Sequence, residues 1–150
     1  MFKNAMLFLA VLLLVSGFAY AEEKFTVSGE VTFQYDGDIY ICLFTEEELH
    51  KFLLRNHELS PSECKVVRMN ANLKRAGKVS FKFESIPKGT YCIVTYQDVN
   101  KNGKVDYEGH FVGEPLGSYK EMDPCCREVI FWKTAKFDLE KDITGIKIQM

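Results

Sequence analysis

Much of what would announce a familiar chemistry is missing from this chain. It has no C-x-x-C pair and no H-x-x-x-H spacing, so neither a helix-start redox dithiol nor the common zinc frameworks have a template. No serine stands in a G-x-S-x-G elbow, which removes the strained nucleophile turn of the α/β-hydrolases. There is no basic stripe. The 19 Lys and Arg face 21 Asp and Glu for a formal net charge of −2, and a near-neutral mixed surface gives no electrostatic footprint for nucleic acid. Beyond the N-terminus no apolar run approaches the ~20 residues that a membrane span needs. Internal repeats and low-complexity tracts are lacking too.

What the N-terminus does hold is a secretory leader. Lys3 is the basic element, Ala5–Val15 is unbroken apolar sequence, Ser16-Gly17 interrupts it, and Ala19-Tyr20-Ala21 offers the small-x-small pattern that a signal peptidase cuts. The apolar run is too short to anchor the chain in a membrane. No cysteine follows it until Cys42, which argues against a lipid anchor. Residues 1–21 are therefore expected to be removed and residues 22–150 to form one extracytoplasmic domain, periplasmic or secreted. The leader takes one lysine and no acid with it, leaving 18 basic against 21 acidic residues, or −3. The remaining 129 residues are enough for a single core.

Cys42, Cys64, Cys92, Cys125 and Cys126 all lie in that mature part, where the compartment permits disulfides. Five is odd, so at least one thiol is free or paired elsewhere. Cys42 and Cys92 sit in apolar runs and read at least as well as small buried side chains. Cys64 and Cys125-Cys126 lie in polar, turn-rich sequence, and a bridge from Cys64 to one of that pair is the expected connection.

Phe25, Val27, Val31 and Phe33 alternate with polar residues, the period of a half-buried strand. Ile39–Phe44 is apolar on both faces, as a central strand is. Thr45 with Glu48 has capping-box spacing, and Leu49, Phe52 and Leu53 continue at helical intervals, so a short helix is expected to about Asn56. Val66-Val67, Lys78–Glu84 and Thr90–Gln97 read as strands, with a turn at Ile86-Pro87-Lys88-Gly89. Tyr107–Arg127 reads as irregular, leaving Tyr107, Phe111 and Tyr119 exposed to a partner. Val129–Trp132, Lys136–Leu139 and Gly145–Met150 read as closing strands. Seven or eight short strands with one brief helix predict an all-β fold, an antiparallel β-sandwich.

One constellation carries chemistry. Asp98-Val99-Asn100-Lys101-Asn102-Gly103-Lys104-Val105-Asp106 fits D-x-N-x-N-G-x-x-D. Calcium takes six to eight oxygens from a loop curled around it. Asp98, Asn100 and Asn102 supply positions 1, 3 and 5, the Lys104 carbonyl supplies position 7, and Asp106 supplies position 9. Gly103 permits the sharp turn, and Val105 is expected to tuck against the core. Position 12 is Gly109, not the bidentate Glu of an EF-hand, with Glu108 the nearest acid. With two sure carboxylates the affinity is expected in the weak extracellular range, roughly 0.1–1 mM.

The stretch Phe83-Glu84-Ser85-Ile86-Pro87-Lys88-Gly89-Thr90-Tyr91, followed by the Asp98–Asp106 loop and then Phe111-Val112-Gly113-Glu114-Pro115, resembles the bacterial family called domain of unknown function 2141. So does a late strand at Phe131-Trp132-Lys133-Thr134-Ala135-Lys136-Phe137. The resemblance covers roughly Phe25 to Met150. It implies an exported transthyretin-like or carboxypeptidase-regulatory-type sandwich with no established activity. The segment Ser118–Arg127, with Cys125-Cys126, departs from the family pattern. The related hydroxyisourate hydrolases end in Tyr-Arg-Gly-Ser, whereas this chain ends Ile148-Gln149-Met150. His50, His57 and His110 lack zinc spacing, and Cys125-Cys126 lacks that of a redox centre. The resulting expectation is a non-catalytic binding or accessory module with a weak calcium loop and an unidentified protein or envelope ligand. The alternative is a periplasmic enzyme with its site between that loop and residues 107–127.

Overall fold

The computed structural model describes residues 22–53, 64–108, 111–121 and 128–150. The expected leader, His57, His110 and Cys125-Cys126 lie outside them. β1 (Lys24–Thr32) is the middle strand of a three-stranded sheet. It pairs antiparallel with β4 (Lys78–Pro87) and parallel with β10 (Ile143–Gln149). The second sheet runs β3 (Cys64–Val67), β2 (Asp38–Phe44), β5 (Gly89–Asp98), β8 (Leu116–Ser118). The first half of β5 also pairs with β9 (Phe137–Leu139), while its second half pairs with β8. A small hairpin, β6 (Tyr107–Glu108) with β7 (Phe111–Val112), stands apart. Among the described residues there are thus ten strands, and the β1–β10 pair makes the three-stranded sheet mixed where a purely antiparallel sandwich was expected.

The alternating strands do what their period dictates. Val27 and Val31 of β1, Phe81 and Phe83 of β4, and Ile146 and Ile148 of β10 point inward against Ile39, Ile41, Leu43 and Ile93 of the second sheet. That is the sandwich core. β2 and β5 are buried on both faces, as their unbroken apolar runs imply. The outer face, with Tyr40, Cys42, Phe44, Cys92, Val94 and Tyr96, makes a second core under two helices. α1 (Glu46–Leu53) brings Leu49 and Phe52 to it, and α3 (Glu128–Ala135) brings Trp132 and Ala135. α1 starts on the expected capping box. The Thr45 N–H donates to Glu48 Oε2 at 2.7 Å, and the Glu48 N–H donates to Thr45 Oγ1 at 3.4 Å.

Four expectations are corrected. Tyr107–Arg127, expected to be irregular, contains β6, β7 and β8, because β8 finds a place beside β5 and β6 pairs with β7. Val129–Trp132 is helical, because Trp132 and Ala135, three apart, must both reach the outer core. The strand that the family resemblance implied therefore begins only at Phe137. A further short helix, α2 (Ala71–Ala76), follows β3, capped by the Asn70 side chain and closed where the Gly77 N–H meets the Leu73 carbonyl at 2.9 Å. Cys64 bridges Cys42, its cross-strand neighbour, and not Cys125 or Cys126.

Candidate functional site

The acidic loop begins where β5 ends. Asp98 is the last residue of that strand and lies opposite Asp38, the first residue of β2. The strand register therefore fixes the first candidate ligand, while Asn100–Lys104 stand exposed beyond the sheet. Gly37 precedes β2 and packs so closely that a Cβ there would lie 2.3 Å from the Asp98 carbonyl oxygen. Only glycine allows this approach of turn to loop. The Gln97 amide holds the same turn, donating to the Tyr35 carbonyl at 2.6 Å and the Gly37 carbonyl at 3.2 Å.

The Asp98 carboxylate is fully buried and gathers the loop around itself. The Asn102 N–H donates to its Oδ1 at 3.1 Å and the Gly103 N–H to its Oδ2 at 2.8 Å. Asn100 Oδ1 accepts from the Asn102 N–H at 3.1 Å, and Asn102 Oδ1 accepts from the Lys104 N–H at 2.8 Å. Across the loop, both side-chain amides, Asn100 Nδ2 and Asn102 Nδ2, donate to the Asp106 carboxylate. Gly103 takes φ of 75°, as position 6 of such a loop demands. Lys101 also lies in the left-handed region, at 59°. Val105 is half-buried and packs on the outer core, as position 8 should. All five expected residues, Asp98, Asn100, Asn102, Lys104 and Asp106, thus belong to one closed ring of contacts. As it stands the ring is satisfied internally. Among the described residues no three His, Cys, Asp or Glu side chains come together as a metal-ligand group.

Sequence reasoning passed over the side chain that sits beneath this ring. Glu114 lies between β7 and β8 and is 9 % exposed. Its Oε2 accepts the Asp106 N–H at 3.4 Å, while its Oε1 has no partner among the described residues. Burial, together with the charges of Asp98 and Asp106, pushes its carboxyl up to about 7, against the pull of the Asp106 and Val99 backbone N–H groups. Its flanks are tied down: the Gly113 N–H bonds the Asp106 carbonyl at 2.8 Å, and the Pro115 carbonyl accepts from the Gln97 N–H at 3.0 Å. The available signal was an acid fenced by Gly113 and Pro115, eight residues past the loop.

Two of the three aromatics expected to face a partner are used internally. The half-buried Tyr107 donates its hydroxyl to the Phe52 carbonyl at 2.8 Å, fixing the β6–β7 hairpin to α1. Tyr119 packs edge-on against Phe137 with ring centroids 5.2 Å apart. The Phe111 side chain lies outside the described residues.

Comparison with curated proteins and with solved structures gave no match. One family comparison did, over residues 22–146. That span takes in the larger sheet, the smaller sheet as far as the middle of β10, the whole acidic loop and Glu114. On that match the chain belongs to the bacterial family described as "Uncharacterized protein conserved in bacteria (DUF2141)".

Proposed function

We propose that this chain is an exported, non-catalytic β-sandwich module with a binding or accessory role, and that its Asp98–Asp106 loop takes a calcium ion. The observation that carries the calcium reading is the buried Asp98 carboxylate. A loop of Asx side chains is wound about it, with a left-handed glycine at the sixth position. The oxygens of Asn100, Asn102 and Asp106 and the Lys104 carbonyl are of the kind a hard cation prefers. In the ring described above the amides of Asn100 and Asn102 stand in for such a cation, presenting N–H to Asp106. Rotation of each amide about its last bond presents oxygen instead. Support for export comes from the leader pattern and from the Cys42–Cys64 bridge, which suits an oxidising compartment. Among the described residues no helix is long and apolar enough to cross a membrane.

The test is thermal. At calcium ten times above its dissociation constant, linkage adds about 1.4 kcal/mol, which on a domain of this size raises the melting temperature by about 5 °C. Chelator should reverse the gain, and magnesium should replace calcium poorly because it demands a smaller, stricter shell. Asp98→Ala should melt alike with and without calcium. A wild-type melting curve indifferent to millimolar calcium would reduce the loop to a plain turn. Export has its own readout: N-terminal sequencing of protein recovered from outside the cytoplasm should begin at Glu22.

A further inference from the structure

Calcium needs more oxygen than the five loop positions supply, and the twelfth position offers only Gly109. The chain holds a carboxylate in reserve nearby. Glu114 is nine-tenths buried, and its Oε2 meets the backbone of Asp106. Its other oxygen, Oε1, is buried without any donor among the described residues. Such an oxygen costs the full desolvation of the group unless something fills its place, and buried carboxylates are as a rule paired or bound to metal. No described lysine or arginine pairs with Asp98, Asp106 or Glu114. Lys101, on the loop itself, reaches away to Asp36 at 3.2 Å.

We propose that Glu114 is the closing ligand of the loop's calcium site, standing in for the missing twelfth-position acid, and that the bound ion fastens residues 111–118 to the end of β5. This rests on the calcium reading of the loop. The backbone on either side of Glu114 is already bonded to Asp106 and to Gln97 of β5, so this ligand is held in place before any ion arrives. Asn100–Lys104, by contrast, stand exposed beyond the sheet. Asp98, Asp106 and Glu114 do not form a metal-ligand group as they stand, and drawing the loop down onto Glu114 is what makes the ion a fastener. Glu108, closer in sequence to the twelfth place, is exposed and takes no part.

The experiment is calorimetric titration of calcium chloride into the purified wild-type protein and its Glu114→Gln and Glu108→Gln variants, with backbone hydrogen exchange read over residues 107–118. Glu114→Gln should weaken calcium at least tenfold, Glu108→Gln less than twofold. Calcium should slow exchange over residues 111–118 in the wild type and not in Glu114→Gln. In chelator Glu114→Gln should melt no lower than the wild type, since it removes one of three neighbouring acids, and with calcium the order should reverse. Calcium bound equally by wild type and Glu114→Gln overturns the role of Glu114 while leaving the loop a calcium site. A Glu114→Gln variant that melts lower in both conditions and binds calcium normally also overturns it, and makes Glu114 a structural hydrogen-bonding group. No calcium binding by the wild type overturns the calcium reading and this inference with it.

Discussion

Asp38 and Asp98 start and end neighbouring strands and face each other across the sheet, yet their side chains find different company. Asp98 turns to its own loop, while Asp38 accepts the Met69 N–H at 2.8 Å and pairs with the guanidinium of Arg68. Burial opposes the charge on Asp38, but the Met69 N–H and Arg68 outweigh it and hold the carboxyl below its ordinary 3.8. The sign follows from linkage. The stabilisation is complete above the unfolded value and is lost as pH falls through the lower, folded one. On acidification below pH 3.8 the wild type should therefore lose stability more steeply than Asp38→Asn, measured as denaturation midpoint against pH. At neutral pH Asp38→Ala leaves the Met69 N–H without its acceptor and should cost about 1–3 kcal/mol. Of this, the exposed Arg68 end contributes least. A residue of another kind, Cys92, is fully buried, and burial pushes its thiol up to about 12. It is a packing side chain and should ignore thiol reagents until the protein unfolds.

Between residues and the whole lie the elements, and there the Cys42–Cys64 bridge ties β2 to the edge strand β3 across a sequence separation of 22. Closing a loop of that length removes unfolded-state freedom, so Cys42→Ser with Cys64→Ser should lower stability by about 3 kcal/mol. Denatured, unreduced protein should show one or three free thiols, according to whether Cys125 and Cys126 are bridged. Five would contradict the bridge. Elements whose own pattern decides them could be read from the sequence: the alternation in β1 and β4, the two-faced β2 and β5, the Thr45–Glu48 cap of α1. Those decided by distant partners could not. α2 buries no side chain fully, so it leaves no apolar period to detect. The apolar run before Trp132 is short enough to suit strand or helix, and only the outer core it covers chooses between them. The disulfide depended on β2 and β3 being neighbours, which cysteine spacing does not encode. At the candidate site the contacts of the loop were legible because the residues that make them are close in sequence. Glu114 was not, because it reaches the loop through the fold of the intervening chain.

As a whole molecule the protein is a sandwich with a third, partial layer, since α1 and α3 cover the outer face of the larger sheet. The larger sheet is thus covered on both sides, and the loop projects from the end of its long strand β5. The smaller sheet is assembled differently. Among the described elements its middle strand, β1, is the first, and one of its two partners, β10, is the last. The bond from the Thr26 N–H to the Asp142 carboxylate, at 2.8 Å, spans a separation of 116 residues. Pairings of such range are slow to form, because the chain between them must be gathered first. Synthesis from the N-terminus therefore delivers β1 long before its parallel partner, and the smaller sheet shuts only once β10 has emerged. The position of β10 beside β1 thus makes the smaller sheet the late-closing half of the sandwich.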